Sequence, residues 1–155
     1  MKIFRHGVSD SLRRIVSGHP PRPLADDVAS IGRNLVAQLN ESPIRVGLLG
    51  AGTVGSQTAR LIVEQKSELS ARIGRPIELT GVACLDPKET EAFPWIDQSI
   101  VTTDTMSVAT NSDIVIELIG GTTVARKFVI AAIKSGASVV TANKALLAKY
   151  GPEIY

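Results

Sequence analysis

The stretch IRVGLLGAGTVG, Ile44 to Gly55, decides the fold. Its first half is a short apolar run leading into glycines, the pattern of a parallel strand buried on both faces. Its second half, GAGTVG, matches G-x-G-x-x-G directly after that strand and at the opening of a helix, where the pattern acquires a physical meaning. Gly50 permits the tight turn, Gly52 lets the main chain approach a pyrophosphate, and Gly55 lets the helix pack closely on the strand. The helix start adds N–H groups and a positive dipole end. An ordinary glycine-rich turn is the competing reading, and the placement between strand and helix favours the dinucleotide cradle.

Downstream the chain alternates. Val54, Thr58, Leu61, Ile62, Gln65 and Leu69 trace one long helix face towards Ile73, with Gly74 as a stop and Pro76 preventing continuation. IELTGVACL (Ile77 to Leu85) reads as strand two, ending at Asp86-Pro87. A short strand at Ile100–Thr102 and a short helix before Asn111 follow. DIVIELIGG (Asp113 to Gly121) is a buried strand closed by a glycine pair. Thr123 to Ser135 is an amphipathic helix with apolar positions at Val124, Phe128, Ala131 and Ala132, closed by Gly136. ASVVTA (Ala137 to Ala142) is the next strand, and Lys144 to Tyr150 a helix stopped by Gly151-Pro152. Repeated strand–helix–strand units predict an α/β fold, a Rossmann-like doubly wound parallel sheet over residues 44–155.

Residues 1–43 differ in style. A basic leader and a proline-rich break, GHPPRP, precede one amphipathic helix marked by Leu24, Val28, Ile31, Leu35 and Leu39, ending at Ser42-Pro43. The expectation is an N-terminal helical extension on the sheet domain.

At 155 residues, 44% hydrophobic and 21% charged, the chain can bury a real core and has no apolar run that could span a bilayer. Its net charge of +2 is too small to argue for nucleic acid, and it is uneven. Lys2, Arg5, Arg13, Arg14 and Arg22 against Asp10 give residues 1–22 a charge of +4, leaving −2 for the rest. Cys84 is the single cysteine, so no intrachain disulfide forms and a reducing compartment, the cytoplasm, is expected. The basic, Ser-containing leader also fits an organelle transit peptide, a weaker compositional signal. Both histidines, His6 and His19, precede residue 20, so the body holds no His triad and no Cys/His metal cluster. Proton transfer there falls to Lys, Asp, Glu, Tyr or water.

In an open parallel sheet, ligands bind beyond the carboxyl ends of the strands. Gly50–Gly55, Ile119–Gly121 and Thr141–Lys144 meet there. Asp86, at the end of strand two, is the candidate acceptor for the adenosine ribose hydroxyls; as a turn-former before Pro87 it has a compatible structural role. Asn143 or Thr141 can cap the last helix. That puts Lys144 in its first turn, where a cation opposes the helix dipole by roughly 0.3–1 kcal/mol. Lys144 either extends to water with no role or holds a polarised group at the sheet edge. Glu117, inside DIVIELI, is a carboxylate where an apolar residue belongs, and it pairs with a lysine or caps a neighbouring amide.

The succession VGLLGAGTVG, IELIGG, a helix and GASVVTANKALLAKYG resembles the homoserine dehydrogenases, over roughly Ile44 to Tyr155. The resemblance implies NAD(P) as cofactor and interconversion of L-homoserine and L-aspartate 4-semialdehyde, a step towards threonine and methionine. It implies cofactor contacts at Thr53, Val54, Ile119 and Gly120 and a catalytic place for Lys144 beside the nicotinamide. It also implies a homo-oligomeric full-length protein. Members often carry an arginine just before the acid that ends strand two, suited to a 2′-phosphate; here Leu85 occupies that position, with Lys88 a partial substitute. Val124 stands where many members have proline. The family's substrate domain follows its cofactor domain, and this chain stops at Tyr155. The expectation is therefore a cofactor-binding part with little or no turnover of its own. The rival readings are a non-catalytic NAD(P)-binding sensor or assembly module, and another small amino-acid or semialdehyde dehydrogenase.

Overall fold

A computed structural model describes residues 28–32 and 42–155. The chain divides into two units, 1–40 and 41–155, and the site lies in the second. Within the first, residues 28–32 are helical, inside the stretch where apolar spacing predicts a helix. Leu24, Leu35, Leu39 and the basic leader lie outside the described residues.

The second unit runs β1 (Ile44–Leu49), α1 (Thr53–Glu64), α2 (Lys66–Ile73), β2 (Ile77–Ala83), two single 3-10 turns, β3 (Val101–Thr102), α3 (Thr105–Thr110), β4 (Ile114–Glu117), α4 (Thr123–Lys134), β5 (Ser138–Thr141) and α5 (Lys144–Ile154). All pairings are parallel and the strand order is β3-β2-β1-β4-β5. This is the doubly wound Rossmann order, so the expected fold class is what forms.

Strand alternation divides the core between the two faces. Val46 and Leu48 of β1 pack with Ile77, Leu79 and Val82 of β2 and with Ala59 and Ile62 of α1. Leu49 points the other way, into a cluster with Val108, Ala109, Val115 and Ala132 under α3 and α4. Ala125, Val129 and Leu146 extend that face beneath α5. The β1–β2 register shifts between Val46 and Gly47, giving β2 one extra residue at Thr80. The glycines beside the shift have a packing reason: a Cβ on Gly47 would lie 2.3 Å from the Ser112 hydroxyl, and one on Gly81 3.1 Å from Val108.

Four local expectations are corrected. The long helix to Ile73 is two helices, broken at Gln65 (φ −102°, ψ 16°). Ile62 is the last buried residue of that segment; α2 buries none, and it turns so that the Ser70 hydroxyl accepts from the Ile77 N–H at 3.1 Å. The face that α1 buries is Gly55, Ser56, Ala59 and Ile62, small residues that allow close approach to the sheet, whereas Val54 and Leu61 are exposed. In α4 the buried stripe is Ala125, Val129 and Ala132, and Val124 is exposed. Finally, α5 continues through Gly151 and Pro152 to Ile154. Proline removes one N–H, and the carbonyl that loses this partner belongs to Ala148, an exposed residue. The Arg126–Glu153 ion pair and the packing of Ile154 hold that last turn.

Candidate functional site

The carboxyl ends of four strands are laced together by main-chain bonds. Gly50 N–H donates to Ala83 C=O at 2.8 Å, Leu118 N–H to Leu49 C=O at 2.8 Å, and Ala142 N–H to Glu117 C=O at 3.5 Å. At this edge the three glycines of GAGTVG have different reasons to be there. Gly50 sits at φ +99°, and a Cβ on it would lie 2.8 Å from the Leu118 carbonyl oxygen. A Cβ on Gly55 would lie 1.9 Å from the Gly50 carbonyl oxygen. A Cβ on Gly52 would meet no protein atom within 4 Å. Packing therefore accounts for Gly50 and Gly55, and does not account for Gly52.

The helix that follows has the matching property. Gly52 is the N-cap of α1, no side chain caps it, and the first α1 amide bonded within the helix is that of Ser56, to Gly52 C=O at 2.8 Å. The N–H groups of Thr53, Val54 and Gly55 thus precede the helix's own ladder and carry the positive end of its dipole. Bare amides, a dipole and an open Cβ position suit a pyrophosphate.

Beside this loop lies a cleft of about 420 Å³, lined by Val54, Leu118, Ile119, Gly120, Gly121, Ala142, Asn143, Lys144 and Ala145. Five of the residues expected from the sequence are in it: Val54, Ile119, Gly120, Asn143 and Lys144. Gly50, Gly52, Thr53 and Gly55 form the adjoining loop, and Thr141 stands behind the wall. Clefts of about 330 and 430 Å³ elsewhere contain none of these residues.

Asn143 builds the wall. Its Oδ1 accepts from Leu146 N–H at 3.0 Å, capping α5, and its Nδ2 donates to Gly121 C=O at 2.5 Å and Ile119 C=O at 3.5 Å. One side chain thereby joins the β4–α4 loop to the start of α5. Lys144, the first residue of α5, is exposed, and its ammonium has no partner among the described residues. A cation at this end of a helix opposes the dipole, so helix stability does not explain it.

Glu117 is fully buried. Neither expected partnership, with a lysine or with a backbone amide, forms. Its Oε2 accepts from the Thr141 hydroxyl at 2.5 Å, and its Oε1 has no partner. The reason is register: Glu117 on β4 and Thr141 on β5 are paired positions. Asp86 is exposed, three residues beyond Ala83, and its Oδ1 accepts from Lys88 N–H at 3.0 Å, so its turn-forming role is realised. Leu85 beside it is 98% exposed. Cys84 is half-buried; burial first, then the charges of Glu89 and Asp86, push its thiol above the ordinary value, which keeps it a weak nucleophile.

Sequence reasoning brought Gly121 and Ala142 to this edge within the segments Ile119–Gly121 and Thr141–Lys144, but did not name Leu118 or Ala145. Gly121 had a usable signal, the second position of a glycine pair ending a strand, and its φ of +81° is one that glycine adopts readily. Leu118 and Ala145 line the cleft because loops bring them there, and no local pattern marks them.

Residues 50–155 match the family model described as homoserine dehydrogenase, NAD binding domain. The homoserine dehydrogenase of Pseudomonas aeruginosa is 42% identical over 118 residues, which is 73% of this chain and 26% of that protein. That of Methylobacillus glycogenes is 47% identical over 110 residues, 68% of this chain and 26% of that protein. The crystal structure of a homoserine dehydrogenase from Thiobacillus denitrificans superposes with a TM-score of 0.67 at 42% identity, covering 74% of this chain and 27% of that one. The chain thus spans about a quarter of the length of the curated relatives it matches. By these matches, together with its strand order, glycine loop and cleft, the chain belongs to the homoserine dehydrogenase family, and it corresponds to that family's NAD-binding domain.

Proposed function

We propose that this chain is the cofactor-binding part of a homoserine dehydrogenase, serving the oxidation of L-homoserine to L-aspartate 4-semialdehyde with NAD(P)+ or its reverse. The observation that carries the reading is Gly52: an open Cβ position at an uncapped helix N-terminus, beside a cleft walled by Ile119–Gly121 and Asn143–Lys144. A nicotinamide held beside Ile119–Gly121 and Lys144 would supply the hydride chemistry for C4 of homoserine. This chain's residues supply the cofactor side of that chemistry. The α1 amides hold the pyrophosphate, Asp86 receives the adenosine ribose, and Val54 with Gly120 gives the nicotinamide half a flat seat. Lys144 helps to hold the reacting oxygen or to relay its proton. The same reading includes a homo-oligomeric whole protein in the cytoplasm, with neither nucleic acid nor membrane as partner. A single cysteine supports the reducing compartment and a small net charge the lack of a nucleic-acid partner; among the described residues no helix is long and apolar enough to cross a membrane, and the homo-oligomer rests on the family resemblance alone.

Titration with NADPH and NADH tests this. Trp95 is the sole tryptophan, and its Nε1 donates to Ser56 C=O at 2.8 Å in the first turn of α1, so its emission reports on the glycine loop. Saturable quenching by both cofactors is expected, with NADH at least as tight as NADPH because Leu85 replaces the arginine. No homoserine-dependent change in NAD(P)H absorbance should appear from the 155-residue chain. Absence of binding at millimolar cofactor would overturn the reading.

A further inference from the structure

We infer that Glu117 is a positioning residue that sets the nicotinamide-side wall of the cleft through a hydrogen-bond relay, Glu117–Thr141–Asn143. The inference rests on the proposed cofactor role and names the device behind it. The relay has a consistent donor direction. Asn143 N–H donates to the Thr141 hydroxyl at 2.9 Å, and that hydroxyl donates to Glu117 Oε2 at 2.5 Å. With its amide so held, Asn143 is oriented to grip Gly121 C=O and to cap Leu146 N–H, which fixes both walls between which Lys144 emerges.

Stability does not account for this arrangement. Strand β4 buries Val115 and Glu117 on one face, and an apolar residue at position 117 would continue the cluster beneath α4 and α5. A carboxylate there must be taken out of water, and one of its oxygens receives nothing in return from the protein. Such a costly group, placed one residue before the cleft lining begins at Leu118 and tied to the residue two before Asn143, makes sense as a fixed acceptor. It fastens the end of β5 to the end of β4 where the loops diverge.

Thr141→Val and Thr141→Ser separate positioning from packing. Valine keeps the shape and removes the hydroxyl, and serine keeps the hydroxyl and removes a methyl. Each is measured in the 155-residue chain by calorimetric titration with NADPH and, separately, with ADP, which reaches the glycine loop but not the cleft. If the relay operates, Thr141→Val weakens NADPH about fivefold or more and leaves ADP unchanged, and Thr141→Ser restores NADPH binding. Glu117→Gln, which retains an oxygen acceptor without the charge, gives a smaller loss confined to NADPH. A Thr141→Val chain that binds NADPH as tightly as the parent would overturn the inference, as would parallel losses for NADPH and ADP or a Thr141→Ser chain worse than Thr141→Val. Amide hydrogen exchange in the cofactor-free chain is independent of the proposed function. Thr141→Val should speed exchange at Asn143 and Leu146 at least tenfold while Leu48 stays protected, and unchanged exchange at Asn143 would sink the relay even if cofactor binding fails.

Discussion

Two helices start at the same sheet edge, and they are opened in opposite ways. The N-terminus of α1 is entered through glycines, carries no side-chain cap and leaves three amides bare. The N-terminus of α5 is entered through Asn143, closed by its side chain, and carries the cation Lys144 in its first turn. The first is a receptacle made of backbone, and its specificity lies in what is absent. The second is a fixture made of side chains, and its specificity lies in what is held. A dinucleotide with an anionic middle and a reacting ring at one end suits this pairing: bare donors for the charge, a braced wall for the ring.

The sharpest break comes from the glycines. Gly55→Ala places a methyl against the Gly50 carbonyl and should cost roughly 3 kcal/mol of stability by urea unfolding, with cofactor binding lost. Gly52→Ala meets no protein atom and sits at φ −66°, so its stability should stay within about 0.5 kcal/mol of the parent. Its NADPH affinity should nevertheless fall at least about tenfold, because disturbing one hydrogen bond to a charged group costs roughly 1.5–3 kcal/mol. Equal effects from the two substitutions would remove the distinction between packing glycine and ligand glycine.

At the other helix, Asn143→Ala removes the cap and the tie to Gly121, and should lower stability by about 1 kcal/mol. ADP binding should be untouched, since the glycine loop is not involved. Lys144→Glu should do the reverse and raise stability by roughly 0.3–1 kcal/mol over Lys144→Ala, read as a higher urea midpoint at unchanged slope. A lysine whose replacement by an acid lowers the midpoint would have an unrecognised structural partner.

The same contrast explains what could be read from the sequence. The α1 receptacle was legible because it depends on local order alone: an apolar strand, then GAGTVG, then a helix. The α5 start was half legible, since an Asn–Lys pair after VVTA announces a cap and a misplaced cation. Its bracing was not. Glu117 and Thr141 lie 24 residues apart and meet only through β4–β5 register, which no local pattern encodes. Helix faces were right at Ile62 and Ala132 and wrong elsewhere, for a similar reason. Counting apolar spacing picked Val54 and Leu61, whereas the sheet accepts Ala59 and glycine because it needs closeness more than bulk. The continuation of α5 past Pro152 depends on Arg126 reaching Glu153 from another helix, again a contact invisible along the chain.

The smallest expected effect serves as the control for the whole comparison, because it lies at the opposite end of the sheet. Arg45, in β1, donates from its backbone N–H to Asp113 Oδ2 at 2.8 Å and from its guanidinium to both oxygens of that carboxylate. Those side-chain bonds first, then the backbone bond and the charges of Arg45 and Arg75, hold the Asp113 carboxyl below its ordinary value despite some burial. A depressed carboxyl pKa means the stabilisation is fully present above the unfolded value, about pH 3.9, and is lost as pH falls from there through the lowered folded value. Because both partners are substantially exposed, the contribution should stay under about 1 kcal/mol. Asp113→Asn should therefore flatten part of the acid limb of a stability–pH curve below pH 4 and leave stability at pH 7 only slightly lower. It should leave NADPH and ADP affinity at pH 7 where they were. Charge at the amino end of β1 and β4 fastens strands, away from the proposed cofactor cleft; a cofactor affinity that followed Asp113 would show that the two ends are coupled through the sheet.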